Sequence, residues 1–373
     1  MDRLLENISP ELKLLLIAAN PNHYSSHIQW LDLDWHRVEE LVDWHQTQAL
    51  LYREIRSRPE IPAKFMQSMQ SDATATAVGN MILAKESDRL MKLLHDNGVD
   101  AFLMKGALWA TLYYEEIGLR EFGDIDFFIN RPDVDKSVVV MDKAGYIADK
   151  YRAYLLSDPI RSNLYFTTDY QLPLEAKITQ LIKSVELQWQ VSYPRLAFSL
   201  DWSDLMACPE EHLIAGKTIR VPRAENQFLM MIVHHVGIEE LDKLKYGMDL
   251  VMLLRKVGDA LDWDYIFSKS REKGFFRLVT MGLQVARMLD KRITFPVSVH
   301  SKIENVENSE FIMSALKHWE DTRHKPLTKS WRIVLHQLKY RDRWTDRWHI
   351  LKAHGRYITQ FNLLYHKARW YLR

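Results

Sequence analysis

Two aspartates alternate along one short apolar segment, and their carboxylates are the strongest candidates for chemistry in this chain. Asp124 and Asp126 lie within residues 122–129, which otherwise read as a buried strand. Successive strand residues point to opposite faces, so both side chains project the same way, with their Cα atoms about 6–7 Å apart. Two neighbouring carboxylates repel each other unless a cation lies between them, and hard oxygen ligands suit Mg²⁺. The spacing therefore predicts a divalent-metal site of the kind used in phosphoryl or nucleotidyl transfer.

An Asp-x-Asp pair alone is a weak signal, because the chain contains four of them. The other three stand beside predicted helix starts, where carboxylates cap backbone N–H groups and oppose the helix dipole. Only Asp124 and Asp126 lie inside an apolar strand, where unpaired charge is costly. From the residues alone, a metal site and a purely structural pair both remain open. The remaining pairs are Asp32/Asp34, Asp133/Asp135 and Asp262/Asp264.

A later strand candidate, residues 185–191, carries a further carboxylate on its polar face. Glu186 and Gln188 belong to a polar set that alternates with the apolar residues of this segment. One face of the strand is therefore polar, and Glu186 is able to point into the same cleft as the aspartates. There it would complete the metal coordination or act as general base for an acceptor hydroxyl. The alternative is a solvent-facing glutamate on an edge strand, and Glu175 is a weaker rival for the third position.

The elements around these carboxylates predict an α+β protein. Strand, helix, strand and helix follow one another over residues 99–144, and further strand candidates lie within 163–192. Helical periodicity dominates before and after, including a long helix expected from about residue 73 to 95. Scarce glycine, 13 of 373 residues, also favours helices over tight turns. We predict three parts: an N-terminal helical region (1–80), an α/β core with a small mixed sheet flanked by helices (81–222), and a C-terminal helical domain (223–373).

The composition excludes several classes of protein. With 47% apolar residues, the chain is too hydrophobic to be disordered. The single cysteine, Cys208, excludes an internal disulfide framework and a cysteine-rich zinc site. No segment approaches the roughly 18 apolar residues needed to span a bilayer, and the first residues do not read as a signal peptide. We therefore expect a cytoplasmic protein.

The C-terminal segment carries most of the positive charge. Residues 317–373 contain 14 Lys/Arg and 4 Asp/Glu, while the rest of the chain is acidic. Basic residues interleaved with aromatic ones are able to stack the bases of single-stranded nucleic acid. Dense aromatic residues also pack well, and the helical pattern of residues 350–361 leads us to favour a folded cap. The tryptophans concerned are Trp319, Trp331, Trp344, Trp348 and Trp370.

Two further patterns are assigned structural roles. His234 and His235 are adjacent, and neighbouring helical residues diverge by about 100°. Only one of them could face a given site, so we expect a packed, hydrogen-bonded histidine and no metal site. Lys245 and Asp249 stand at i, i+4, which an ordinary pair along one helix would explain.

Short motifs in a fixed order extend over most of the chain. They are residues 103–108, Tyr113, Arg120, residues 123–126, Gly145 and Tyr146, residues 186–189, His234, Lys245 with Asp249, residues 261–264, and residues 363–369. Together they resemble the uncharacterised nucleotidyltransferase family of the polymerase-β-like superfamily. The resemblance implies a small mixed sheet carrying two acidic residues on one strand and a third on a later one. It also implies transfer of a nucleoside monophosphate from an NTP to an acceptor, with natural-product or polysaccharide pathways as settings.

The resemblance also implies roles for individual residues. Asp124, Asp126 and Glu186 would bind Mg²⁺ or Mn²⁺ and form the catalytic set. Members of the superfamily usually have a Gly-Ser pair at the start of the helix that binds the triphosphate. This chain has Lys105 and Gly106 at that place. Gly106 would still let backbone N–H groups approach the NTP phosphates at a helix start, and Lys105 would add positive charge.

Two other positions bear on activity. We interpret Arg120 as a bidentate fork for phosphate, with a surface salt bridge to Glu115 or Glu116 as the alternative. Gln188 stands where family members tend to have histidine, and glutamine is unable to shuttle a proton.

Three functional hypotheses follow. The first is a Mg²⁺-dependent nucleotidyltransferase that binds an NTP such as ATP and modifies an unknown acceptor, which is a small molecule, a peptide or a sugar. The second is a catalytically degenerate binding protein that keeps the same fold. The third is a nucleic-acid binder that uses the basic C-terminal segment.

Overall fold

The computed structural model describes residues 8–177, 182, 184–214, 217–304, 306, 308–323, 326–361, 364–365 and 367–368. The strands are β1 Ala101–Met104, β2 Asp124–Ile129, β3 Tyr146–Ala148, β4 Gln171–Ala176, β5 Ser184–Gln188, β6 Glu210–Ile214 and β7 Lys217–Val221. The helices as far as the β6–β7 hairpin are α1 Pro10–Leu16, α2 Pro21–Tyr24, α3 Trp35–His45, α4 Gln48–Ile55, α5 Ala63–Asp96, α6 Gly106–Tyr113, α7 Val134–Lys143, α8 Lys150–Leu156, α9 Pro159–Thr168 and α10 Trp202–Leu205. Those after the hairpin are α11 Ala224–Met231, a π-helical segment Ile232–Ile238, α12 Leu244–Val257, α13 Trp263–Glu272, α14 Phe276–Leu289, α15 Val297–Glu304, α16 Ser309–Glu320, α17 Pro326–Tyr340 and α18 Trp344–Ile358.

The first five strands form one mixed sheet in the order β1-β2-β5-β4-β3. β2 and β5 run parallel, and the other neighbouring pairs are antiparallel. Helices pack around this sheet, so the predicted α+β class is confirmed. The parallel register places Asp126 directly beside Glu186. Residues paired in this way point to the same face of a sheet, which is how the fold brings the two carboxylates together.

The long helix α5 is longer than the sequence pattern predicted. It spans 34 residues from Ala63, directly after Pro62, where we expected a start near residue 73. The extra residues are mostly good helix formers such as Ala, Lys, Met and Gln, so nothing interrupts the helix there. It continues through residue 80, where we divided the N-terminal region from the core, and that division stays a prediction.

Helix α5 also supports the loop before β2. The Asn80 side-chain amide donates to the backbone carbonyls of Ile117 and Arg120 at 2.7 Å each. Gly118 lies so close to the helix that an added Cβ would sit 2.7 Å from the Ala77 Cβ. A small residue is therefore required at position 118, and the approach to the aspartate strand is held firmly.

The sequence pattern did not predict several of the observed secondary-structure elements. The β6–β7 hairpin reads as charged residues with little apolar alternation, which hid it from a periodicity argument. Helices α8 and α9 are short, but Asp149 and Asp158 cap them through side-chain hydrogen bonds to the first backbone N–H groups. Pro159 follows the second cap at the first helical position. These capping signals were readable in the sequence.

The C-terminal tryptophans do not all pack as expected. Trp319 is fully buried and its indole N–H donates to the Leu241 carbonyl at 2.7 Å. Trp331, Trp344 and Trp348, however, are 66%, 73% and 61% exposed. The prediction of a packed cap is therefore wrong for these three, because their helix faces have no neighbouring element among the described residues. Trp370 lies outside the described residues.

Among the described helices, none combines the length and apolar character needed to cross a bilayer.

One buried histidine links the N-terminal helices to the C-terminal ones. His45 is fully buried at the end of α3. Its Nε2 lies 2.9 Å from the Trp319 carbonyl, and its Nδ1 accepts from the Leu244 backbone N–H at 3.0 Å. A ring that donates at one nitrogen and accepts at the other is neutral. Burial lowers the pKa of His45 from 6.5 to about 4 despite its hydrogen bond to Trp319.

We expect this histidine to make folding sensitive to acid. The unfolded chain binds a proton near pH 6.5, whereas the folded chain resists it until about pH 4. Stability is therefore lost as pH falls through this window, by about 3 kcal/mol for a shift of this size. Urea unfolding at pH 7 and pH 4.5 measures the loss. His45→Gln, whose amide can both donate and accept, should reduce the pH dependence.

A matched control is His36→Gln, since the His36 side chain is 82% exposed. It should leave the pH dependence of unfolding unchanged. Equal slopes for wild type and His45→Gln would contradict the assignment.

Candidate active site

Three carboxylates converge at one end of the parallel strand pair. Oxygen atoms of Asp124, Asp126 and Glu186 all lie within 4.8 Å of one another. Asp126 is buried, at 4% exposure, while Asp124 and Glu186 are half-buried. The three carboxylates that the resemblance implied as one set therefore lie together in the structure. Glu175, the weaker rival, is exposed on β4 and is not part of this cluster.

The strand that carries the aspartates is fixed by the core. Ile125 and Phe127 point away from the carboxylates and are 1% and 0% exposed. Phe128 stacks on Phe102 of β1 with ring centroids 5.1 Å apart. Burial of these large side chains sets the register, and a slip of one residue would turn the aspartates into the core. The packing of β2 therefore keeps the Asp124 and Asp126 carboxylates on the same face of the sheet.

The electrostatics of the cluster are unfavourable as it stands. Burial raises the pKa of Asp126 well above its usual range; the Lys105 ammonium opposes the rise, and the charges of Asp124 and Glu186 add to it. Burial likewise raises the pKa of Glu186, with Lys105 opposing and Asp124 adding. A divalent cation would relieve this excess of negative charge. Carboxylate oxygens are also the ligands that Mg²⁺ and Mn²⁺ prefer, so the residues fit such an ion.

Gln188 holds the cluster in place, a role that the sequence did not reveal. Its side chain is fully buried, and its Nε2 donates to Asp126 Oδ1 at 2.6 Å and to Glu186 Oε2 at 3.3 Å. An amide donor compensates a carboxylate only partly, because it carries no net charge. Gln188 therefore orients two of the acidic side chains and leaves them in need of a cation.

The turn before α6 brings the helix start against the aspartate strand. Lys105 has φ +53° and Gly106 has φ +31°, so the chain turns sharply between β1 and α6. A Cβ on Gly106 would lie 3.6 Å from the Asp124 carbonyl oxygen. The first N–H groups of a helix have no partner within it and favour anions. The positions predicted to contact phosphate, Lys105 and Gly106, thus lie beside the carboxylates.

Arg120 has a different partner from the one predicted. It is buried, and its Nε and Nη2 donate to the two oxygens of Asp249 on α12 at 2.7 and 2.8 Å. The fork assigned to phosphate is thus already occupied by a carboxylate. Glu115, one of the suggested salt-bridge partners, pairs with Arg53 at 3.0 Å. The geometry argues against Arg120 as a phosphate ligand and makes it a structural cation.

Asp249 is the centre of a buried network that replaces the predicted helix pair. Besides Arg120, it accepts from the Tyr114 hydroxyl at 2.7 Å, and His235 Nε2 lies 3.0 Å from it. Burial alone would raise the pKa of Asp249, but the Arg120 charge together with the hydrogen bonds from His235 and Arg120 holds that pKa far below its usual range. Lys245 instead donates to the Gln46 side chain. The i, i+4 pairing of Lys245 with Asp249 was therefore wrong, because tertiary partners outcompete it.

A cavity of 660 Å³ lies elsewhere. It is bordered by α5, β1, α10 and the β6–β7 hairpin, and none of the three clustered carboxylates lines it. A choice of candidate site by cavity volume alone would therefore not select the three carboxylates. We place the candidate active site by its chemistry, since the cavity contains no comparable convergence of ligand atoms among the described residues.

We expect the Arg120–Asp249 pair to be among the strongest single contributions to stability. Removing one partner of a buried ion pair leaves an uncompensated charge and costs about 3–5 kcal/mol. Arg120→Ala should therefore lower the free energy of unfolding by that amount in urea titrations. Lys92→Ala removes the ion pair with Asp96, in which both side chains are more than half exposed, and should cost about 1 kcal/mol or less. Equal losses for the two variants would refute the buried role of Arg120.

Comparison with known proteins finds a matching family and a similar solved structure. The model of the family described as uncharacterised nucleotidyltransferase matches residues 32–289, which include all three carboxylates. A crystal structure of an antigenic nucleotidyltransferase-like protein from Paracoccidioides brasiliensis aligns with 61% of this chain and 92% of its own, at 14% identity and a TM-score of 0.32. No protein of curated function matches the chain. Because the family model covers more than half of the sequence, this chain belongs to the uncharacterised nucleotidyltransferase family.

Proposed function

We propose that this protein is a Mg²⁺- or Mn²⁺-dependent nucleotidyltransferase that moves a nucleoside monophosphate from an NTP to an acceptor. One observation carries the proposal: Asp124, Asp126 and Glu186 converge within 4.8 Å beside a helix start in a chain of nucleotidyltransferase family. In this reaction an acceptor oxygen forms a bond to the α-phosphorus of the NTP. The bond to the pyrophosphate oxygen breaks, and pyrophosphate leaves with its electron pair.

The bound cation would neutralise charge on the reacting phosphate oxygens. The chain's own residues supply position and charge. Gln188 orients Asp126 and Glu186, so the acidic side chains are arranged before substrate arrives. Lys105 and the first amides of α6 would hold the triphosphate next to them, as helix starts do for anions. Such positioning and neutralisation account for most of the catalysis in phosphoryl transfer.

A second candidate function is supported by a separate surface. A cavity of 350 Å³ is lined by Arg195, Lys352 and Arg356, and the Arg195 guanidinium lies 3.8 Å from the Tyr193 ring centroid. Tyr193 in turn contacts Tyr170. Together with the exposed tryptophans of α17 and α18, this surface favours an anionic, base-stacking ligand such as single-stranded nucleic acid. Binding that weakens steeply with salt would support it.

The proposal predicts opposite effects of one variant with and without ligand. Asp126→Asn should abolish the rise in melting temperature that Mg²⁺ plus an NTP gives the wild type. Without metal, the same variant should be more stable than wild type by about 1 kcal/mol, a typical single-site effect. The reason is that it removes one of three repelling carboxylates and keeps an oxygen for the Gln188 amide. Differential scanning fluorimetry with each NTP measures both effects.

Asp264→Asn is the matched control, because Asp264 also belongs to an Asp-x-Asp pair but its side chain is 95% exposed. It should melt and bind like the wild type. Absence of any metal-dependent NTP shift in the wild type, or an undiminished shift in Asp126→Asn, would reject the proposed function.

A further inference from the structure

Asp249, His235 and His234 form a row of three polar side chains. Nucleotidyl transfer as proposed above assigns no role to this row. His235 lies between Asp249 and His234. Its Nε2 is 3.0 Å from Asp249 Oδ2, and its Nδ1 is 3.0 Å from His234 Nδ1. Both distances are those of hydrogen bonds. The two histidines therefore form one continuous chain with the buried carboxylate.

The π-helical segment makes this contact between sequence neighbours available. Residues 232–238 are wound more widely than an α-helix, and π segments occur often at functional sites. We expected adjacent helical side chains to diverge, but the His234 and His235 rings lie with their centroids 5.1 Å apart. The His235 ring stacks on Tyr246 at 4.7 Å and meets the edge of Trp109 at 5.4 Å. Aromatic packing thus fixes His235.

The hydrogen-bond partners determine which nitrogen carries each proton. Asp249 is ionised and has only acceptors to offer, so His235 must donate from Nε2. His235 is neutral, because burial lowers its pKa although Asp249 opposes the change. Its Nδ1 therefore carries no proton and accepts. His234 must then donate from Nδ1, which leaves His234 Nε2 with a free electron pair.

His234 is placed where that electron pair can be used. Its side chain is half-buried, and among the described residues no hydrogen bond engages its Nε2. Burial lowers the pKa of His234 well below its usual value, and the charges that face it act in the same direction. These charged or titratable neighbours are Lys105, His235, Lys329 and Lys245. The packing places these histidines near the carboxylate strand: the His235 ring contacts Trp109, one turn along α6 from Gly106, which lies against the Asp124 carbonyl.

We propose that His234 Nε2 is the general base that accepts the proton of the acceptor nucleophile, with His235 and Asp249 as positioning residues. This proposal rests on the proposed nucleotidyl transfer. As the acceptor oxygen bonds to the α-phosphorus, its O–H bond breaks and the proton moves to His234 Nε2. The pyrophosphate leaves with the electron pair of its P–O bond, and the imidazolium later releases the proton to water.

This assignment gives Glu186 a single role. A general base must be unprotonated and free of the metal, whereas Glu186 lies within the ligand cluster. His234 is neutral and has an open nitrogen, so the two tasks fall to different residues. Hydrogen bonding through His235 to Asp249 stabilises the imidazolium that forms, in the way that a carboxylate stabilises the histidine of a hydrolase triad.

The proton positions are tested by NMR of the full chain labelled with ¹⁵N-histidine, without metal, at pH 7.5. We expect His234 protonated at Nδ1 only and His235 at Nε2 only. His235→Gln should preserve the His234 tautomer, since its amide donates to Asp249 and its carbonyl accepts from His234. His235→Phe keeps the aromatic packing but removes the acceptor for His234 Nδ1–H, so the proton of His234 should no longer favour Nδ1 over Nε2. A proton on His234 Nε2 in the wild type, or an unchanged tautomer in His235→Phe, would overturn the relay.

The base is tested by release of pyrophosphate from ATP with Mg²⁺ and water as acceptor. His234→Ala should lower kcat about 100-fold or more with little change in KM, as loss of a general base does. Added imidazole should partly restore the rate, which a merely structural defect would not allow. The control His36→Gln alters an exposed ring and should turn over like wild type.

Asp126→Asn separates the two proposals. If Asp126→Asn abolishes pyrophosphate release while His234→Ala does not slow it, the base assignment is wrong and the proposed function stands. If wild type releases no pyrophosphate, or Asp126→Asn releases it as fast as wild type, the proposed function itself is rejected. A slow His234→Ala variant that imidazole fails to rescue also counts against the base.

Discussion

Mutual repulsion of three carboxylates on two adjacent strands is the constraint around which the rest of this structure is arranged. Buried charge without a counter-charge is expensive, and Asp126 is almost fully buried between β1 and β5. The protein compensates in part with the Gln188 amide and the Lys105 ammonium. Neither removes the excess negative charge. Strong packing of β2 is what keeps the carboxylates together, and the site stays electrostatically incomplete in a way that suits a cation and a phosphate.

Asp249 is a second buried carboxylate, and its charge is compensated where the charge of Asp126 is not. Asp249 is as buried as Asp126, yet its pKa is shifted down where that of Asp126 is shifted up. The difference is the partner: a bidentate guanidinium for Asp249 and a neutral amide for Asp126. A fully satisfied charge holds α12 against the loop before β2. The uncompensated charge of Asp126 supports the binding role proposed for it, because strongly perturbed pKa values cluster at functional sites.

The basic C-terminal segment has some residues in internal ion pairs and others exposed on the surface. Part of its charge is used internally, since Lys329 pairs with Glu239 and Arg332 pairs with Glu240 at 2.9 Å. These contacts attach α17 to the turn that follows the π-helical segment. The exposed tryptophans on α17 and α18 have no such internal use among the described residues. Part of the positive charge of this segment is thus used in ion pairs between α17 and the turn before α12, and part of it remains on the surface.

The sequence by itself determined the α+β class and the shared face of Asp124 and Asp126, because strand alternation is a local property. The pairing of β2 with β5, which brings Glu186 beside Asp126, was decided by the tertiary structure. The sequence also indicated the helix start at Gly106, since a glycine break between a strand and a helix is visible locally. The tertiary structure alone decided the partners. Arg120 and Asp249 are 129 residues apart, and nothing local distinguishes an arginine that will meet a carboxylate from one that will meet phosphate. The contact between His234 and His235 likewise occurs within a π-helical segment, which the helical periodicity of the sequence did not indicate.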